Sequence, residues 1–130
     1  SLEEFLNLIK ISNISYGFMK KGICLGFVIC LRENTNYQSI NYKFFQKRHK
    51  KFIYIDRIAI ANKYQSLGIG SNLYSKLLSI KDKFNIPICA EVNIDPPNEL
   101  SINFHRKHGF SKITERTIKE GYSVAYMEIE

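Results

Sequence analysis

Apolar positions recur along this chain with two periods, and the changes of period divide it into elements. Leu2–Ile11 carries Leu2, Phe5, Leu6 and Ile9 at helical spacing. Ile14–Met19 and Ile23–Leu31 read as two strands of an antiparallel hairpin around the Lys20–Lys21–Gly22 turn. Arg32–Lys51 is a polar connection rich in aromatic and basic residues, long enough to be a functional loop or to carry a short helix over Tyr42–Lys50. Phe52–Ala61 is the strongest strand. Gly70–Phe84 follows as a helix with Leu73, Leu77, Ile80 and Phe84 in one stripe. Ile86–Ile94 is a further strand, broken by Asp95–Pro96–Pro97. Asn98–His108 is a helix with Asn98 placed to cap it, Glu99 in its first turn and Gly109 at its end. Ser111–Ile118 and Tyr122–Ile129 close the chain as a hairpin around Lys119–Glu120–Gly121. This order predicts an α+β domain with a mixed sheet covered by helices.

Composition narrows the picture. The 130 residues fit one domain, 1–130, and 45% hydrophobic content is enough for a core. No apolar run reaches membrane-spanning length and the first residues do not resemble a signal peptide, so the expectation is a cytoplasmic protein with no membrane partner. The chain starts at Ser1 without an initiator Met, which leaves residues upstream open. Cys24, Cys30 and Cys89 lie in strand-like runs without metal-ligand spacing, which predicts reduced core thiols. A formal charge of +7 suits a polyanionic partner, either nucleic acid or a phosphate-bearing cofactor.

The stretch Tyr64–Ser71, between the strongest strand and its helix, chooses between them. Gly68 and Gly70 free backbone N–H groups at a helix mouth, where the helix dipole favours a phosphate. No lysine follows Gly70, which excludes a Walker loop, and Leu73 stands where a dinucleotide fingerprint needs its third glycine. Gln65-x-x-Gly68-x-Gly70 resembles instead the pyrophosphate loop of the GNAT superfamily of acyl-CoA-dependent N-acetyltransferases. The family's second signature is matched in register by Asn98, Ser101, Phe104–His105 and Gly109–Phe110. Tyr54–Ile55–Asp56–Arg57 and Glu91–Asn98 further resemble a narrower branch of acetyltransferases with unassigned acceptors. The resemblance runs from about Leu25 to the end, and the family's first strand and helix are either absent or upstream of Ser1.

The resemblance implies a GNAT-like fold, acetyl-CoA as acetyl donor, and direct attack by a primary amine without metal or covalent enzyme intermediate. The main chain of Ile58, Ala59 and Ile60 would pair with the pantetheine arm, with the Ile58 N–H polarising the thioester carbonyl. Gln65, Ser66, Leu67, Gly68, Ile69, Gly70 and Ser71 would hold the pyrophosphate, and Asn98 a further part of the cofactor. Histidine replaces the family's usual tyrosine at His105, the position that protonates the departing thiolate. An unperturbed imidazole is only about one quarter protonated at pH 7. It serves best where a carboxylate or the cofactor's phosphates raise its pKa.

The amine must lose a proton, so a base is required. Alternation puts Tyr54, Asp56 and Ile58 on one strand face, with Asp56 as first candidate base and Tyr54 as second. Glu91 and Asn93 share a face of the next strand and suit the acceptor's ammonium, with Glu91 as a third candidate base. Tyr37 and Tyr42, in the long connection, are candidates for walling the acceptor site. His108 reads as a cap at the end of its helix and His49 as solvated. The acceptor is a small-molecule amine or a peptide, and a homodimer is left open. Two alternatives stand beside this enzyme: an acyl-CoA-binding scaffold without catalysis, and a basic nucleic-acid-binding module resting on Lys43–Lys51 and its interleaved aromatics.

Overall fold

Strands with near-continuous buried runs are apolar on both faces and need helices on each side of their sheet, and this chain supplies a pair for each. The computed structural model describes residues 1–130. In chain order the elements are α1 (Leu2–Ile11), β1 (Ile14–Lys20), β2 (Ile23–Arg32), α2 (Ile40–Arg48), β3 (Ile53–Ile60), α3 (Ile69–Phe84), β4 (Ile88–Asp95), α4 (Glu99–Lys107), β5 (Ser111–Lys119) and β6 (Tyr122–Ile129). A 3-10 turn at Asn62–Tyr64 precedes α3. Each element expected from the sequence is present, with ends shifted by a residue or two. α2 begins earlier than expected because Ser39 accepts a hydrogen bond from the Tyr42 N–H and so caps it.

The six strands form one sheet in the order β1-β2-β3-β4-β6-β5. All neighbours are antiparallel except β3 and β4, which α3 connects. One face carries Val28, Ile53, Ile55, Ile88 and Val92 against Leu73, Tyr74 and Leu77 of α3. The other carries Leu31, Tyr54, Cys89 and Tyr126 against Leu8 of α1 and Tyr42 and Phe45 of α2. This is the α+β arrangement the sequence predicts, a mostly antiparallel mixed sheet between helices. No helix is long and apolar enough to cross a membrane.

Three local expectations fail for identifiable reasons. α1 seats Phe5, Leu8 and Ile11 on the sheet and leaves Leu2, Leu6 and Ile9 exposed, so the helix is rotated from the face its apolar stripe suggested. Phe84, the last residue of α3 before its left-handed cap at Asn85, is exposed. Cys24 is exposed near the β1–β2 turn, and only Cys30 and Cys89 are buried thiols.

The end of α2 is anchored by charge. Glu128 of β6 is 6% exposed, and Arg48 donates to both of its oxygens at 2.9 Å. His49 Nε2 lies 2.8 Å from Glu128 Oε1, so His49 is an anchor and not a solvated side chain. Burial alone would raise the Glu128 pKa, but the hydrogen bonds from Arg48 and His49 outweigh it and hold the carboxyl below its usual value. A lowered folded pKa contributes stability that is complete above the unfolded value and is lost as pH falls through the folded one. Glu128→Gln is therefore expected to cost about 1–2 kcal/mol at pH 7, discounted because Arg48 is partly exposed. The difference from the unaltered chain, read by urea unfolding, should shrink below about pH 4.

Candidate active site

The sheet splits where the chemistry was expected. β3 and β4 pair only at Ile53–Ile88 and Tyr54–Cys89, although β3 continues to Ile60 and β4 to Asp95. Beyond that point the two parallel strands diverge, and the β4-facing edge of β3 is unpaired.

The ladder with β2 tells which main-chain groups face the split. Opposed residues in an antiparallel pair alternate between hydrogen-bonded and non-bonded. The Ala61 N–H donates to Leu25 O at 2.9 Å, which makes that pair bonded, and with it Ala59–Phe27 two residues back. Ile60–Gly26 and Ile58–Val28 are then the non-bonded pairs, and their N–H and C=O groups point away from β2 into the split. Gln65 Nε2 donates to Ile60 O at 3.3 Å, as this direction requires. Ile58 and Ile60 thus offer main-chain groups to a ligand lying along the edge. Ala59 does not, because its own are committed to β2.

Above this edge lies the mouth of α3. Gly68 is the N-cap at φ 81°, a left-handed conformation that favours glycine, and no side chain caps the helix. The N–H groups of Ile69, Gly70 and Ser71 precede the first intrahelical donor, Asn72, which bonds Gly68 O at 3.0 Å. Gly70 is small for a second reason: a Cβ there would stand 3.2 Å from Phe104 Cζ, so the glycine lets α3 and α4 approach. Asn98 caps α4 by accepting from the Ser101 N–H at 3.2 Å.

A cleft of about 630 Å³ joins these parts. Its walls are Ile58 and Ile60, the loop and helix mouth from Gln65 to Ser71 without Leu67, and Asn98, Ser101, Phe104 and His105 of the α4 segment. Leu67 turns its side chain to solvent. Lys107 lies at the same cleft and was missed, although it is three positions past Phe104 on the same helix face.

His105 does not match the acid expected of it. It is 3% exposed, and its Nδ1 lies 2.7 Å from the Ser101 carbonyl, which can only accept, so Nδ1 carries the hydrogen. Nε2 is then free to accept from the Tyr74 hydroxyl, 2.7 Å away. Both ring nitrogens are engaged within the protein. Burial lowers the pKa, outweighing the bond to the Ser101 carbonyl, and no carboxylate raises it. His105 is a neutral packing residue at the base of the cleft. His105→Ala would strand the buried Tyr74 hydroxyl and open a cavity, and is expected to cost about 2–4 kcal/mol in thermal or urea unfolding. His108 Nδ1 donates to Phe104 O at 2.8 Å, the cap its position predicts.

The candidate bases lie on the α1–α2 face of the sheet. A β-bulge at Asp56 shifts the β2–β3 register between Ile29 and Cys30, so Tyr54 and Ile58 do not share a face as alternation predicted. Tyr54 sits in the α2-side core, and Ile58 packs with the α3-side core. The Tyr54 hydroxyl is 2.7 Å from both oxygens of Glu91, and burial followed by the Glu91 charge pushes its pKa well up. It is a hydrogen-bond donor to Glu91, not a base. Asp56 is half-buried and accepts from the Tyr37 hydroxyl at 2.7 Å. Burial raises its pKa against the opposing pull of Tyr37 and Arg57.

Glu91 is two residues past the last β3–β4 pair and receives a second hydrogen bond, 3.2 Å from Asn41 Nδ2. Burial raises its pKa to about 7, reinforced by the Asp56 charge and opposed by the Tyr54 and Asn41 hydrogen bonds. Asn93 shares its face but is exposed, with its carbonyl bonded to the Asn98 N–H. Tyr42 is 1% exposed and its hydroxyl donates to Arg32 O at 2.6 Å. It is a core residue of α2 and walls no open site. His49, Cys89 and Glu128 bring donor atoms within 4.8 Å of one another, but the Arg48 guanidinium already occupies both Glu128 oxygens and repels a cation there.

Comparison with known proteins places this geometry. The model of the Acetyltransferase (GNAT) family matches residues 5–110. Arabidopsis thaliana Naa50, solved with the bisubstrate analogue CoA-Ac-MVNAL, superposes with a TM-score of 0.73 at 20% identity, covering 100% of this chain and 81% of that one. Ard1 from Thermoplasma volcanium gives 0.76 at 18% identity, covering 99% and 78%. The ribosomal-protein-S18-alanine N-acetyltransferase of Escherichia coli gives 0.73 at 18% identity, covering 99% and 76%. No curated protein sequence matches significantly.

Proposed function

The chain belongs to the GNAT acetyltransferase family, and we propose that it moves an acetyl group from acetyl-CoA to a primary amine by direct attack. The observation that carries this reading is the divergence of β3 and β4 with the Ile58 and Ile60 main chain turned into the gap, under an uncapped helix mouth. An extended amide-bearing arm pairs with such an edge as an added strand. A pyrophosphate fits the N–H groups of Ile69–Ser71, with Lys107 as a nearby cation. The Ile58 N–H is the donor best placed to take charge developing on the thioester oxygen.

Glu91 is the base in this reading. A carboxylate titrating near neutrality is half ionised at working pH and strong enough to take a proton from an ammonium held beside it. Asp56, near enough to raise the Glu91 pKa by its charge, supplies the second charge that holds the ammonium. Tyr37 orients Asp56 through its hydrogen bond. His105 gives no proton to the departing thiolate in this account, since its only N–H is committed to Ser101; that proton comes from water in the open cleft.

Release of CoA thiol from acetyl-CoA across a panel of amines, amino acids and short peptides tests the reading. Turnover with at least one acceptor, first order in enzyme, is the expected result. Tight acetyl-CoA binding with no turnover on any acceptor would favour the non-catalytic scaffold, which the spent His105 ring keeps in view.

A further inference from the structure

A chain of hydrogen-bond donors runs to Glu91 from β5, and every hydrogen in it points the same way. Arg116 Nη1 donates to the Tyr126 hydroxyl at 3.4 Å. The Tyr126 hydroxyl donates to Asn41 Oδ1 at 2.7 Å. The ionised Glu91 carboxylate can only accept, so the Asn41 amide presents Nδ2 to Glu91 Oε1 at 3.2 Å and leaves Oδ1 for the Tyr126 hydroxyl. Tyr126 stands opposite Glu91 in the β4–β6 ladder. Asn41 comes from α2, in the connection whose function the sequence left open.

Tyr126 is fully buried and Asn41 is 7% exposed. Burying an amide and a phenol costs free energy unless each finds a partner, and an apolar pair of similar volume would pack here without that cost. Each polar group here is satisfied, and the donors converge on one carboxylate. Phe44 stacks on Tyr126 at 4.1 Å between ring centroids and Phe45 meets it edge-on at 5.4 Å, so the ring is held with its hydroxyl oxygen at Asn41.

We propose that Asn41 and Tyr126 are positioning residues for Glu91: they hold its carboxylate in one orientation beside the split and stabilise its ionised form. α2 thereby sets the strength of the base at the acceptor end of the cleft. The proposal rests on the assignment of Glu91 as base. A donor to the ionised carboxyl lowers its pKa, so losing the donor raises it. Burial and the Asp56 charge would then act with less opposition, and fewer molecules would hold Glu91 ionised at neutral pH.

The test is a carbon-13 NMR titration of the glutamate side-chain carboxyls, with Glu91 assigned by its loss in Glu91→Gln. Asn41→Leu is expected to raise the Glu91 midpoint by about one pH unit. Tyr126→Phe keeps the ring and its packing, and should raise the midpoint by a smaller amount. It also keeps the test decisive if Asn41→Leu does not fold. With an active acceptor, the acid limb of kcat/KM should move upward by the same amount as the midpoint, which a purely structural role would not produce. An unmoved midpoint in a variant that still binds acetyl-CoA overturns the positioning proposal alone. An unaltered chain that takes no acetyl-CoA overturns the acetyltransferase reading, and the catalytic sense of the proposal with it.

Discussion

Glu91→Gln is expected to lower kcat for acetyl transfer by roughly 10²–10⁴-fold, the range for loss of a general base. The substitution keeps the shape of the side chain, so the Tyr54 and Asn41 contacts survive in altered form and the fold is expected to persist. It removes the group that accepts the proton. Acetyl-CoA affinity, measured separately by calorimetry, should change little because Glu91 does not line the cofactor cleft. In the unaltered chain kcat/KM should rise with pH through about 7 as Glu91 ionises, and this limb should vanish in the variant. Asp56→Asn sharpens the assignment. Asp56 raises the Glu91 pKa by its charge, so the variant should move that limb to lower pH and raise KM for the amine. A variant Glu91→Gln with nearly full kcat would return the role of base to Asp56.

Gly70→Glu is expected to weaken acetyl-CoA binding by roughly a hundredfold or more, since it costs charge-assisted hydrogen bonds at the helix mouth. Two effects act together. A Cβ at this position stands 3.2 Å from Phe104 Cζ and 3.3 Å from Cε1, so the larger side chain must turn into the cleft. There it places a carboxylate where the free N–H groups favour an anion. Gly70→Ala separates the effects. It adds only the Cβ, which asks Phe104 to shift by a few tenths of an ångström, and should leave most of the affinity intact. Thermal unfolding of both variants identifies any loss that comes from folding.

The sequence made the helix-mouth side of the cleft legible because that side depends on short local patterns. A left-handed cap and a close helix–helix approach both require glycine, and Gly68 and Gly70 stand at those two places. Asn98 and the helix it caps followed from local capping chemistry. The split itself was not legible, since no periodicity says where two parallel strands part company. The surroundings of Glu91 were harder to read because they depend on contacts between distant segments. Asn41 reaches Glu91 across 50 positions and Tyr126 reaches Asn41 across 85, with no motif to announce either contact. The bulge at Asp56 defeated the alternation that grouped Tyr54 with Ile58, because one extra residue reverses the face of everything after it. His105 sat in the right register but in the wrong chemical state. Tyr74, which takes its free nitrogen, looks in sequence like any aromatic residue of an amphipathic helix.

Calorimetric titration of acetyl-CoA into the unaltered chain, repeated with Gly70→Glu, tests the central claim most directly. The account predicts one site per chain with a dissociation constant on the order of 1–10 μM, or about −7 to −8 kcal/mol, and binding roughly a hundredfold or more weaker in the variant. No binding by the unaltered, folded chain at about 1 mM acetyl-CoA, an affinity weaker than roughly −4 kcal/mol, would contradict it.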